Sequence, residues 1–170
     1  MYGMYKKILV PLDGSDLAEK VLPHATDLAK GGGAEITLVT VVELTLGAAG
    51  SKLDAFPQAV AERKAALRAE AMGYLEKAQR ALREQGVMAK GIVLEGDVAS
   101  QLIAYAEQQG FDLIAMTTHG RSGIERFVMG SIAEKVIRST IKPVLLIRAI
   151  PVVPRPVDWR EIAATPGAVA

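Results

Sequence analysis

The stretch LIAMTTHGRSGIERFVMGSIAEKVIRSTIKPVLLI, residues 113–147, reads as one strand–loop–helix–strand unit. Leu113 to Met116 is a short apolar run of strand length. Thr117 to Gly130 is a long loop carrying Gly120 and Gly123. Ser131 to Ser139 is a helix, and Pro143 to Ile147 is a second apolar strand. A strand that returns through a helix to a neighbouring strand makes a parallel pair.

Outward from that unit the same alternation repeats. Upstream, Asp97 is placed to cap a helix running to Gln109, with Val98, Leu102 and Ala106 inward. Ala89 to Glu95 reads as the strand before it. Ala59 to Gln85 is a long helix whose apolar stripe is Leu67, Ala71, Leu75, Ala78 and Leu82, and Gly86 stops it. Residues 43–58 lack a clear period and contain Gly47, Gly50 and Pro57, a loop of the length that usually has a function or moves. Ile36 to Val42 is nearly all apolar, as a strand covered on both faces should be. Ser15 to Lys30 carries Leu17, Val21, Ala25 and Leu28 at helical spacing. Pro23 should bend or break that helix, and Gly31 to Gly33 should end it. Ile8 to Val10 is the first strand. Five strands separated by four helical segments predict an α/β fold: a parallel, Rossmann-like sheet with helices on both faces.

Composition narrows the function. At 170 residues the chain suits one domain. Such a chain buries about two-thirds of the surface its unfolded form exposes. Half the residues are apolar and 23% are charged, an ordinary globular balance. Twenty basic residues face nineteen acidic ones, with no Lys/Arg cluster of the kind that marks a nucleic-acid surface. The absence of cysteine excludes a disulfide framework, a thiolate metal site and a thiol nucleophile. The N-terminus has no signal-peptide pattern, and the apolar runs are too short to span a membrane. A cytoplasmic location is therefore expected, without nucleic-acid or membrane partners. Residues 149–170 hold four of the eight prolines and the only tryptophan, Trp159. They read as an appendage to a wound domain that ends at Arg148.

In a doubly wound sheet, ligands bind beyond the carboxyl ends of the strands where the winding reverses. That selects residues 11–15, 41–43 and 117–131. Within the last segment, glycine lets the backbone approach an anion, and the N-terminus of the following helix offers N–H groups and partial positive charge. Arg121 adds a cation and Ser122 a donor. A plainer reading also fits: the glycines turn a long loop, and Ser131 with Glu134 forms a capping box. Neither of the common phosphate-loop or dinucleotide patterns occurs. His119 and His24 are the only histidines, so no histidine cluster exists for a metal, and His119 suits a loop-fixing hydrogen bond better than general base catalysis.

Three segments together resemble the universal stress proteins. They are Lys7-Ile8-Leu9-Val10-Pro11-Leu12-Asp13-Gly14-Ser15, Glu95-Gly96-Asp97, and Thr118-His119-Gly120-Arg121-Ser122-Gly123 running on through Gly130-Ser131 to Pro143-Val144-Leu145. The resemblance covers about residues 4–148. It implies a three-layer fold like that of the adenine nucleotide alpha hydrolases, with strand order 3-2-1-4-5. It further implies an ATP site, with ADP or AMP as alternatives, and Mg held through the phosphates and Asp13. Pro11 belongs to this site, and Asp13 would contact the ribose or the metal. Val41 and Met116 would line the adenine pocket. His119, Gly120, Arg121 and Ser122, with Gly130, Ser131 and Ile132, would surround the phosphates. Thr117 stands where the nucleotide-binding branch has its first loop glycine, so its side chain either narrows the pocket or adds a hydroxyl contact. The plain reading of Asp13 is a turn residue or helix cap, and that of Val41 and Met116 is core. The expected function is a nucleotide-binding regulatory or stress-response module with little or slow hydrolysis. An ATPase or nucleotidyl-transfer enzyme using His119, Glu125 or Arg126 is one alternative; a nucleotide-free interaction protein is the other. A homodimer through Val144 to Ile147 is implied, with the tail as a second way to cover that edge.

Overall fold

The structure, a computed structural model, describes residues 4–43, 57–118 and 129–148. Five strands form one parallel sheet: β1 (Lys7–Pro11), β2 (Glu35–Val42), β3 (Ala89–Glu95), β4 (Leu113–Thr117) and β5 (Val144–Ile147). Their order is β3-β2-β1-β4-β5, as expected. Among the described residues five helices join them: α1 (Asp16–Glu19), α2 (Leu22–Gly32), α3 (Pro57–Glu84), α4 (Val98–Gln108) and α5 (Ser131–Ser139).

Alternation along the strands divides the core into two layers. Ile8 and Val10 of β1, with Ile36 and Leu38 of β2, pack with Val21 just before α2, Ala25 of α2, and Leu75 and Leu82 of α3. Leu9 and Val39 point the other way and pack with Leu102 and Ala106 of α4 and Ala133 and Val136 of α5. The five ion pairs among the described residues are all at least partly exposed. Such pairs contribute about 0–1 kcal/mol each, whereas a fully buried Leu or Ile contributes about 2 kcal/mol, so the apolar layers hold the fold together.

The helical segment after β1 breaks where proline demands it. α1 ends at Glu19, and α2 starts at Leu22 with Pro23 in its first turn. α2 runs two residues into the glycine triplet, and Gly33 closes it in the left-handed region at φ 66°. In α3, Ala71, Leu75, Ala78 and Leu82 are buried, while Leu67 is partly so. α3 lies close on β3: a side chain at Gly91 would come within 2.9 Å of Gln79 Oε1, and Gln79 Nε2 donates to the Ala89 carbonyl at 2.8 Å.

The chain winds to one side through α2 and α3 and to the other through α4 and α5. The reversal lies between β1 and β4, which pair directly. No helix among the described residues is long and apolar enough to cross a membrane.

Candidate functional site

A cleft of about 270 Å³ opens at this reversal, at the carboxyl ends of β1, β2 and β4. Each wall follows from local chain geometry. Beyond β1, the Leu12 N–H donates to the Val39 carbonyl at 2.8 Å, and Thr40 Oγ1 donates to the Leu12 carbonyl at 2.9 Å. These bonds lay Pro11 to Asp13 against β2. The next turn is built by Asp13 itself, whose Oδ1 accepts from Ser15 N at 3.0 Å and Ser15 Oγ at 2.6 Å. Gly14 supplies the positive φ, 82°, and Ser15 Oγ caps α1 by accepting from Ala18 N. Asp13 is thus the turn residue of the plainer reading, and it also lines the cleft.

β2 contributes Val39 and Val41, and Glu43 just past its end continues the period-2 set on that face. β4 contributes Met116 and Thr117, both nearly buried. Thr117 belongs to the strand, paired with Ile147, and not to the loop where the sequence pattern begins it. Thr118 continues the pairing by donating its N–H to the Ile147 carbonyl at 2.9 Å. Its own carbonyl accepts from Gly130 N at 2.8 Å, which closes the base of the excursion between them. His119, Gly120, Arg121 and Ser122 fall in that excursion, outside the described residues, as do Gly123, Glu125 and Arg126.

The fourth wall is the N-terminus of α5. The capping box expected from Ser131 and Glu134 is not formed. Gly130 is the N-cap, with extended backbone at φ −60°, ψ 145° and no side chain to offer. Ser131 is therefore the first helical residue, and Glu134 turns away to accept from Arg138 Nε at 2.9 Å. The first-turn N–H groups of α5 meet no side-chain cap, and Gly130, Ser131, Ile132 and Ala133 all line the cleft.

The structure thus brings Pro11, Asp13, Val41, Met116, Thr117, Gly130, Ser131 and Ile132 around one space. Sequence reasoning missed Val39, which strand alternation with Val41 would have found; Glu43 lies in the segment selected after the second strand but was given no role there. It also read Val98 and Leu102 only as inward residues of α4, and they line the cleft too. The resulting chemistry is split. Val39, Val41, Val98, Leu102 and Met116 make an apolar side suited to a flat ring. The α5 terminus makes a side suited to an anion. Asp13 and Glu43 add carboxylates, which beside an anion suit hydroxyl donors or a bridging cation. Among the described residues no group of three or more His, Asp or Glu is placed to hold a metal by itself.

Two further carboxylates stand just outside. The hydrogen bond from Lys64 first, then charge and hydrogen bonds from Lys64 and Arg68, hold Glu95 below its ordinary pKa. Lys135 first, then the Ser100 side chain and N–H, hold Asp97 far below the usual carboxylate range. Asp97 caps α4 as expected.

Comparison with known proteins agrees with this architecture. Universal stress protein MJ0531 of Methanocaldococcus jannaschii is 35% identical over 150 residues, covering 86% of this chain and 84% of that protein. The solved structure of MJ0577, from the same organism, superposes with a TM-score of 0.76 at 30% identity, covering 88% of this chain and 99% of that one. A universal stress protein from Archaeoglobus fulgidus, solved in complex with dAMP, shares the fold at 23% identity and a TM-score of 0.58. The universal stress protein family as a whole matches residues 4–148, and the chain belongs to that family.

Proposed function

We propose that the chain binds an adenine nucleotide, ATP first, as a regulatory module with little or slow hydrolysis. The observation that carries this reading is the uncapped N-terminus of α5, which lines the same cleft as an apolar slot. The slot takes the base between Val41 and Met116, with Pro11 beside it. The phosphates rest on Gly130, Ser131 and the Ile132 N–H, with His119, Gly120, Arg121 and Ser122 from the segment between. Asp13 meets the ribose, or a Mg ion carried in by the phosphates, for which an oxygen ligand is the right chemistry. Thr117 bounds the slot at the end of β4. The fold itself is compatible, since the Archaeoglobus fulgidus protein that shares it was solved with dAMP.

The test is the nucleotide released when freshly purified protein is denatured, with ATP titration of the stripped protein beside it. Bound ATP, a thermal shift on its return and negligible phosphate release are expected. No nucleotide and no ATP-induced shift would overturn the reading.

The same reading includes a homodimer through β5. That strand lies at a sheet edge and is only half-buried, and Ile141 just before it is 86% exposed. Unpaired apolar edges are normally covered. A chain ending at Arg148 is expected to elute as a dimer; a monomer would assign the pairing to residues 149–170.

A further inference from the structure

Asp97 is tied to more of the cleft than helix capping requires. Its Oδ2 accepts from Ser100 N at 2.9 Å and from Ser100 Oγ, which completes the cap of α4. The same oxygen accepts from Lys135 Nζ of α5 at 2.8 Å. One residue earlier, the Gly96 N–H donates to the Val42 carbonyl at 3.1 Å, between Val41 and Glu43 of the cleft. Gly96 has φ 126°, which side-chain-bearing residues rarely adopt, and Gln101 Nε2 lies 3.1 Å from where a Cβ would stand. The turn holding Asp97 is therefore fixed at both ends.

We propose that the Asp97–Lys135 pair is a positioning brace. It sets where the N-terminus of α5 stands against α4, and through that the affinity of the cleft for the phosphate end of a nucleotide. This rests on the nucleotide reading above. The two helices pack side by side on one face of the sheet, and both line the cleft: Val98 and Leu102 from α4, Ser131 and Ile132 from α5. Buried Ala133 and Val136 hold α5 down on the sheet, and the Gly130 N–H bond to the Thr118 carbonyl anchors its N-cap at one point, which leaves the set of the helix against α4 to the side chains between them. A charged hydrogen bond to an oxygen already locked by two other donors is directional. It joins α5 one turn past Ser131. Both partners are 51% exposed, so the effect is modest, about two- to five-fold in affinity.

Three variants of the full chain test the brace: Lys135→Met, Lys135→Arg and Asp97→Asn. Asn still caps a helix, so α4 stays intact in the last. Affinities for ATP and for adenosine are measured by calorimetry, and amide exchange in the first turn of α5 is followed without ligand. Lys135→Met should weaken ATP about two- to five-fold, leave adenosine unchanged and speed exchange in that turn. Lys135→Arg should restore all three. Asp97→Asn should also weaken ATP. Simple repulsion predicts the reverse, because removing a carboxylate near an anion tightens binding; a tighter Asp97→Asn variant overturns the brace. Should the native chain bind neither ligand, the nucleotide reading fails on its own. Exchange then decides: faster exchange in both Lys135→Met and Asp97→Asn supports the brace, and unchanged exchange overturns it.

Discussion

Thr26 shows how a single atom can count against the fold. It is 3% exposed on the buried side of α2, and its hydroxyl has no partner among the described residues. A helical threonine ordinarily donates back to the carbonyl one turn earlier. An unpartnered buried hydroxyl costs about 1–3 kcal/mol, and valine has the same shape without it. Thr26→Val is expected to stabilise the protein by about 1 kcal/mol, read as a higher urea midpoint at unchanged slope. A lower midpoint would show that the hydroxyl is satisfied. Nothing in the sequence marks this position, because satisfaction is decided by neighbours far along the chain. The residues that line the cleft divide the same way. Asp13 was legible as both a turn former and a site residue, since the Asp-Gly-Ser run dictates its own hydrogen bonds. Glu43 was legible only as part of the segment after the second strand, because it sits at the edge of an aperiodic stretch that gives its side chain no direction. Thr117 sits inside a strand at 7% exposure, and a β-branched residue there also serves the sheet.

At the scale of elements, periodicity carried most of the reading and end signals carried less. β3 and α5 fall where the pattern put them, and α4 within one residue, because each has an unbroken apolar period and a sharp stop. The helix start at residue 131 is right while its capping was misread. Ser131 and Glu134 satisfy the local pattern of a capping box, but the Gly130 hydrogen bond to Thr118 places the cap one residue earlier. That contact spans a long excursion and leaves no local trace. Its consequence can be tested by giving α5 the cap it lacks. Gly130 has φ −60°, which any residue adopts, and aspartate is a strong N-cap. Gly130→Asp should hold or raise the thermal midpoint of ligand-free protein by up to about 0.5 kcal/mol. The same carboxylate would occupy the first-turn N–H groups and repel phosphate, so ATP affinity should fall by at least about tenfold. A variant that binds ATP normally would show that the α5 terminus does not hold the phosphates.

Over the whole molecule, three carboxylates add polar ties between elements that the sheet and the apolar layers already bring together. Asp112 Oδ2 accepts from Lys6 N at 2.8 Å and Lys7 N at 2.9 Å, fastening the start of β1 to the turn before β4. Glu95 fastens β3 to α3 through Lys64 and Arg68, and Asp97 fastens α4 to α5. All three are held below their ordinary pKa, Asp112 chiefly by the two backbone N–H groups. A carboxyl group with a depressed folded pKa stabilises the fold above its unfolded value. It loses that contribution as pH falls through the folded value. Stability should therefore hold near neutrality and decline from roughly pH 5 downward. The strands were legible because they are compact apolar runs, and their order came with the resemblance to the universal stress proteins. These ties were not, since each pairs residues from separate elements, 105 positions apart between Lys7 and Asp112. Asp112→Asn isolates one of them. Asparagine keeps the size and a neutral acceptor, much as the protonated acid does. The variant should melt below the native protein at pH 7, and the gap should narrow as pH falls from the ordinary aspartate range through the lowered folded value. A gap of equal size at pH 7 and throughout the acid range would mean that the side chain acts through shape alone, and that its charge contributes nothing to holding β1 in place.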